Sequence, residues 1–440
     1  MQKPEIAHKE RALFFTKSFM PIFWVQFLGA FNDNLFKNAM IMLITFKLSH
    51  SNGETGLLIT FAAGLFILPF IVFSGLAGQL ADRYPKSFLI QKIKLAEVVI
   101  MLFGAIALLN HQLELLFVTL FLMGTQSAFF GPIKYSVLPE ILQGDKLMKG
   151  NGLFSGSTFI AILLGTILGG VGVLMPNGTV VISVGIISLA LLGYAVSLRL
   201  TPSNTQNKTL QIDVNIFKSS WQLITLCKGY QTSFFAVMGI SWFWFLGAVM
   251  LSQIPTLVKY DLLSSEGVVT AFLAVFSIGI ALGSVLVSHF FNHQFSLKWH
   301  GVLLGFISGL IVAMIWMIEQ SAPWLFLYSS APDLLNFNEF ILIWPLNTLL
   351  ILLLLIAVLG GAYIVPLYTL LQTQTHAKVR ARMVAVNNIL NAFLMVLSAL
   401  LVMIGFALSL SLLNILLCLA VLNLGIALWF QTKQNTLKID

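Results

Sequence analysis

Residues 30–39 read Ala-Phe-Asn-Asp-Asn-Leu-Phe-Lys-Asn-Ala inside a long apolar run. They set Asn32, Asp33, Asn34, Lys37 and Asn38 where neighbouring sequence avoids charge. On a helix at 100° per residue, Gln26, Asp33 and Lys37 fall on one stripe about 40° wide. Asn34 and Asn38 widen it on one flank. The chemistry on offer is ionic. Asp33 can hold an ammonium, a Na⁺ or a proton, and Lys37 can hold a phosphate. A lone charge deep in a bilayer costs about 2.5–3.5 kcal/mol, so the stripe needs a reason. Two are open: the charges, four residues apart, neutralise each other, or they face a cavity and hold the two ends of a zwitterion.

Other polar residues are sparse. Lys134 sits beside Tyr135 at the expected end of its apolar run, where it can snorkel to lipid phosphate or capture a headgroup. Glu97 has Lys94 one turn back, and a local pair is the expected arrangement. Gln126, Gln253, Asn387, Asn388 and Asn391 can line a cavity or bond neighbouring helices. Trp242, Phe243, Trp244 and Phe245 read as an interfacial aromatic belt that could also cradle an acyl chain. Enzyme motifs are missing. Gly150 and Gly152 lack the Gly-Lys-Ser/Thr sequel of a phosphate loop, and there is no His-Glu-x-x-His. His289 and His293 read as a membrane-surface pair, so no metal site is expected. Cys227 and Cys418 are expected to be unpaired.

The elements that position these groups follow from composition. The 440 residues are 58% hydrophobic and only 9% charged, and the mean hydropathy is +0.94. Soluble domains carry about 25% charged residues. Apolar runs long enough to cross a bilayer recur along the chain, and the alternating segments of a β-barrel are absent. An all-α membrane protein is therefore expected. Twelve spans are predicted: 18–46, 55–80, 88–109, 113–135, 150–175, 179–199, 229–258, 267–291, 299–318, 343–370, 381–404 and 408–430. The polar N-terminus leads straight into a full-length span, which is expected to be retained.

Polar segment 200–228 divides the spans six and six. The domains expected are a tail, 1–17; an N-terminal bundle, 18–199; a linker, 200–228; a C-terminal bundle, 229–430; and a tail, 431–440. With both termini in the cytoplasm, every Lys and Arg except Lys37, Lys47, Lys134 and Lys259 falls on the cytoplasmic side. This bias also accounts for the net charge of +8 without nucleic acid. Asp33 then lies near the bilayer centre, with Lys37 about 6 Å nearer the outside.

The halves echo each other. Phe27-Leu28-Gly29-Ala30 recurs as Phe245-Leu246-Gly247-Ala248 in the first span of each half. Pro132-Ile133-Lys134-Tyr135 precedes Asn151, as Pro366-Leu367-Tyr368 precedes Asn387-Asn388. Internal repeats of this kind are common in transporters. The 2–3 loop, Gly78-Gln-Leu-Ala-Asp82-Arg83-Tyr-Pro85-Lys86, resembles the loop motif of the major facilitator superfamily, with Pro85 where the second Gly is expected. That resemblance implies two pseudo-symmetric six-helix bundles. It also implies a cytoplasmic latch: Gly78 for close helix approach, Asp82 on the start of span 11 near Arg380 and Arg382, and Arg83 paired with Glu140.

A narrower resemblance, to the lysophospholipid transporter family, rests on three stretches. They are Ala30–Asn34, Gly131–Leu142 with Lys146–Leu153, and Gly360–Gln372. It implies that lysophospholipid such as lysophosphatidylethanolamine is flipped across a bacterial inner membrane for re-acylation. The substrate residues would be Gln26, Asp33, Asn34, Lys37, Asn38, Lys134, Tyr135, Gln253, Asn387 and Asn391. No cofactor is implied, although Na⁺ or H⁺ coupling through Asp33 is open. Membrane lipids are the expected surroundings, an acyltransferase or acyl-carrier-protein synthetase is a candidate partner, and a monomer is expected. Export of drugs or other small amphiphiles, a scaffold for an acyltransferase, and an uncoupled scramblase are the alternative readings. Residues 319–342 depart from the family as a long outside loop.

Overall fold

Without water to satisfy the backbone, an apolar chain in lipid must bond within each segment, and helices are the outcome. The computed structural model describes Leu13 and residues 16–48, 52–202, 207–290, 298–328 and 334–434. Among them the regular secondary structure is helical apart from a single parallel bridge between Ser264 and Leu335. The first half comprises α1 (Phe19–Leu43), α2 (Asn52–Arg83), α3 (Lys86–Asn110), α4 (Leu113–Ile141), α5 (Asp145–Gly172) and α6 (Gly178–Ser197). A connecting helix, α7 (Ile216–Lys228), follows. The second half holds α8 (Gln231–Thr256), α9 (Glu266–Phe290), α10 (Lys298–Tyr328), α11 (Phe337–Leu342), α12 (Leu346–Thr373), α13 (Arg380–Ala407) and α14 (Leu412–Gln434).

Eleven of these helices are long and apolar enough to cross a membrane. At 25 residues α1 is also long enough, reaching about 37 Å. The polar residues that make it interesting also lower its hydropathy.

Three expectations about boundaries change. Span 4 does not stop at Tyr135 but continues to Ile141 through Pro132 and Pro139. Proline is tolerated inside membrane helices where neighbours satisfy the freed groups. Lys134 is therefore two turns inside a helix, not at its end. Segment 319–342 is not a long loop among its described residues. α10 continues to Tyr328 and α11 follows, capped by Asn336 and Glu339 bonding each other's backbone. Leu335 exchanges backbone hydrogen bonds with the 263–265 turn, and the Phe340 ring meets Phe272 edge-on. Linker 200–228 contains α7, an amphipathic helix whose Asn215 cap accepts from Lys218 N–H. Lys3, Lys9, Arg11, Lys438, His293 and residues 329–333 lie outside the described residues.

Packing repeats between the halves. α1 packs on α5 as α8 packs on α13; α2 on α4 as α9 on α12; α3 on α6 as α10 on α14. The halves meet along two matching seams, α2 against α13 and α5 against α9. Glycines make the close approaches, because small residues let helix backbones touch. Gly169 lies on the Leu35 carbonyl, and Gly78 lies against Arg382 and Ala385. Gly283 of α9 lies on the Val358 carbonyl and Gly361 of α12 lies on the Ile280 carbonyl, interlocking the two helices.

A methyl group at Gly283 would collide with the Val358 carbonyl, whereas one at Gly305 meets nothing within 4 Å. Gly283→Ala should destabilise the protein by about 1–3 kcal/mol. Thermal unfolding in detergent should show a lowered midpoint for Gly283→Ala and none for Gly305→Ala.

Candidate functional site

The polar stripe of α1 is divided among three neighbours. Gln26 donates to Ser157 Oγ at 2.7 Å and accepts from Thr158 Oγ1 at 3.0 Å, both on α5. Asn38 donates to Thr166 on the same helix, and Asn34 donates back to the Ala30 carbonyl. Three of the expected substrate residues are thus occupied in packing. Asn32 turns the other way and donates to Glu97 Oε1 on α3 at 3.2 Å.

Glu97 is the centre of this layer. Its carboxylate also takes the Lys94 ammonium at 2.5 Å and Gln126 Nε2 at 2.9 Å. Lys94 and Glu97 are almost wholly excluded from solvent, at 0% and 2% side-chain exposure, so the pair must be internally satisfied. The Lys94 ammonium also lies 5.1 Å from the Phe130 ring centre and beneath Gly29. The expected local pair is present, and it fixes α3 against α1 and α4.

Asp33 and Lys37 do not form the i,i+4 ion pair. Asp33 Oδ2 accepts from Ser127 Oγ on α4 at 2.5 Å, and Oδ1 is buried without a hydrogen-bond partner. The Lys37 ammonium instead lies 5.6 Å from the Phe66 ring centre. Lys134, within the same half, lies over its neighbour Tyr135. Neither lysine has an ion-pair partner among the described residues. Lys134 nevertheless lies within the electrostatic reach of Asp33. One carboxylate and two ammonium groups are left with unspent charge inside the first half.

Below this layer the halves meet. Tyr135 of α4 stacks on Tyr368 of α12 with ring centres 4.1 Å apart and planes within 6°. The two proline-tyrosine segments that echo in sequence therefore face each other. Nearby, the Trp244 indole nitrogen and both polar atoms of the Asn387 amide are buried without a hydrogen-bond partner. Asn388 reaches across to Gly131. Asn151 Nδ2 donates to Gln372 Oε1 at 2.6 Å, and Gln372 Nε2 donates to the Tyr135 carbonyl at 2.9 Å. Asn391 is used within the second half, accepting from Ser241. Gln253 lies near the far end, bonded to Ser252.

At the end of the bundle, Asp82 is fully buried against the start of α13. Its carboxylate accepts from Ala381 N–H at 3.1 Å, Arg382 N–H at 3.4 Å and Arg382 Nε at 2.9 Å. A carboxylate at a helix N-terminus meets free N–H groups and the positive end of the dipole. Arg380 is spent on the Gln372 and Thr375 carbonyls. The expected Arg83–Glu140 pair is not formed. Glu140 takes Lys86, which is 2% exposed, while the Arg83 guanidinium lies over Tyr84. Lys86 begins α3 and reaches Glu140 directly. Outside the membrane layer, burial pushes the Cys227 thiol up to about 12, leaving it unreactive.

Among the described residues, twelve long helices pair along matching seams with the Asp82 carboxylate buried between the halves, and the family description of the Major Facilitator Superfamily matches residues 22–399. The chain belongs to the major facilitator superfamily. Lysophospholipid transporters LplT of Yersinia pestis and Yersinia pseudotuberculosis are 24% identical to it over 392 residues, covering 85% of this chain and 83% of theirs. A bacterial homologue of the iron transporter ferroportin in its outward-facing state superposes with a TM-score of 0.65 at 14% identity, covering 95% of this chain and 99% of that one. FucP in its outward conformation gives 0.66 at 12% identity, with 96% and 99% covered. The relatives are transporters, not enzymes. No cluster of three metal-ligating side chains occurs among the described residues.

The Glu97 hub generates a test. Glu97→Gln leaves Lys94 buried without a counter-charge and should cost about 3–5 kcal/mol. The double variant Lys94→Met/Glu97→Gln should recover most of that loss in thermal unfolding. Recovery of stability shows that the loss in the single variant is the cost of an unpaired buried charge.

Proposed function

We propose that this transporter moves lysophospholipid across the bacterial inner membrane by alternating access. The observation that carries the reading is the unspent charge around Asp33: a carboxylate with one unpartnered oxygen, and Lys37 and Lys134 without ion-pair partners. A zwitterionic headgroup supplies the complement, its ammonium to Asp33 and its phosphate to a lysine. Neutralising charges inside the bundle also recovers the cost of holding them there. The names of the curated relatives point the same way. Asn387 and Trp244, with polar atoms buried and unbonded, would face the same ligand from the second half.

In this reading both termini lie in the cytoplasm, and residues 18–199 and 229–430 are the two units that rock. The Asp82 contact, the Asn151–Gln372 pair and the Tyr135–Tyr368 stack hold the cytoplasmic end shut. The bound lipid would be carried from the outer to the inner leaflet, where an acyltransferase consumes it. Asp33 would also accept Na⁺ or a proton when the ammonium leaves.

Reconstituted protein should take up labelled lysophosphatidylethanolamine into liposomes. Asp33→Asn should lower that uptake at least tenfold with an unchanged melting temperature. Uptake equal to wild type, or preferential transport of a soluble drug, would overturn the reading. Asp82→Ala removes a buried acceptor from three donors and should open the cytoplasmic end. A cysteine placed at Thr369, beside the stack, should then react severalfold faster with a water-soluble maleimide from that side; an unchanged rate contradicts the latch.

A further inference from the structure

The linker helix α7 has a face that transport of a substrate does not use. Ser219, Leu223 and Cys227 are buried against the bundle. At 100° per residue, Lys218, Trp221, Thr225 and Lys228 fall within an arc of about 80° on the opposite side. All four are exposed. The Trp221 ring is 70% exposed, an unusual place for a large apolar side chain.

Depth decides what this face meets. α7 packs on α2, α13 and α8. Ser219 and Ser220 lie against Gly75, which belongs to the apolar span Leu57–Arg83. Gly75 is about 12 Å along the helix from Arg83, whereas the headgroup layer on one side of a bilayer is about 5–8 Å thick. This part of α7 therefore lies at the depth of the headgroups, on the flank of the bundle, with its outer face turned away from α2.

The chemistry of the face suits that depth. Trp combines an apolar ring with a polar N–H and concentrates at membrane interfaces. Segment 199–230 holds four basic residues, Arg199, Lys208, Lys218 and Lys228, against one acid, Asp213. Asp213 meets Lys218 at 3.3 Å with both side chains partly in solvent. An exposed pair of this kind is weak and exchanges readily for another anion. Lys228 has no ion-pair partner among the described residues.

We propose that the outer face of α7 is a docking site for anionic lipid of the cytoplasmic leaflet, with phosphates held by Lys218 and Lys228 and the Trp221 ring seated among the headgroups. Because α7 lies over the α2–α13 seam, lipid bound there favours the state in which that seam is closed. Closure of the cytoplasmic end would then track the anionic lipid content of the membrane. The site is separate from that of the transported substrate, and it takes from the proposed function only the cytoplasmic placement of the linker.

The test uses full-length protein in nanodiscs of phosphatidylcholine, alone or mixed with phosphatidylglycerol. Nanodiscs expose both faces to reagent and need no transport. A cysteine replaces Thr225 in a Cys418→Ser background, since Cys418 is exposed and Cys227 is buried. Near an anionic surface each lysine should favour docking about fivefold. Reaction of Thr225→Cys with a water-soluble maleimide should therefore slow about tenfold when phosphatidylglycerol is included. Lys218→Gln/Lys228→Gln should cut that slowing to about twofold or less, and Trp221→Ala, which keeps the charge, to about threefold. A cysteine at Thr369 should react severalfold slower in the anionic discs, and equally in both discs in the double-lysine variant. An equal Thr225→Cys rate in the two discs, or undiminished slowing in the double-lysine variant, overturns the proposal. Undiminished slowing in Trp221→Ala would show a general effect of surface charge on the reagent and overturns it too. Lysolipid uptake enters none of these outcomes, so the headgroup reading stands or falls separately.

Discussion

The Glu97 carboxylate sets the electrostatic arrangement of the first half. In a medium without water, each charge needs partners supplied by the protein, and Glu97 collects Lys94, Asn32 and Gln126. These donors are turned away from Asp33, the residue after Asn32 on α1, which keeps a single hydroxyl partner from Ser127. A satisfied acid beside an unsatisfied one is the arrangement expected where one group supports the scaffold and its neighbour serves a ligand. The separation is possible because α3 carries its own cation one turn from its own anion. Without Lys94, the α1 amides and Gln126 would face a lone buried charge.

The repeat uses one backbone plan for two kinds of surface. Helix pairings recur from half to half, and so do the glycine contacts that bring helices together. The side chains between them diverge. The first half places ions and amides around α1 and α3; the second places Phe, Leu, Met and Ile around α8 and α10. Asn391 with Ser241, and Trp242 with Asn423, show that the second half does hold buried polar pairs. These pairs are neutral and close on themselves, so they offer little to an ion. The two halves therefore offer chemically different interiors, ionic in the first and largely hydrocarbon in the second.

Much of this was legible in the chain. The apolar runs gave the helix count, the Gly78–Lys86 loop located Asp82 against the start of α13, and Lys94 and Glu97 announced their pairing by spacing. Asp33 and Lys37 stood out because charge in an apolar run is costly. Their failure to pair was not legible, because it depends on Ser127 and Phe66 arriving from α4 and α2. Gln372 and Asn151 looked ordinary, since an amide's role is decided by what stands opposite. Lys86 was read as loop charge and is instead buried on Glu140. Polarity also misled at the margins. The α7 segment carries enough Ser, Gln and Lys, and the continuation of α10 enough Glu, Gln, Ser and Pro, to read as loop, although both are helical.

The connecting helix has a mechanical consequence. α7 lies on α2, α13 and α8, so it spans the seam between the halves. It is held at the α2 side by Gln79, which accepts from the Asp213 N–H and donates to its carbonyl, and by Ser219 and Ser220 against Gly75. The Asn207 N–H bonds the Asp82 carbonyl itself. The connection between the two halves is therefore held against α2 at several points. Separation of α2 from α13 must break these small contacts together before it can proceed. In the proposed rocking motion, such a connection would act as a catch with a threshold, released only when these contacts give way together.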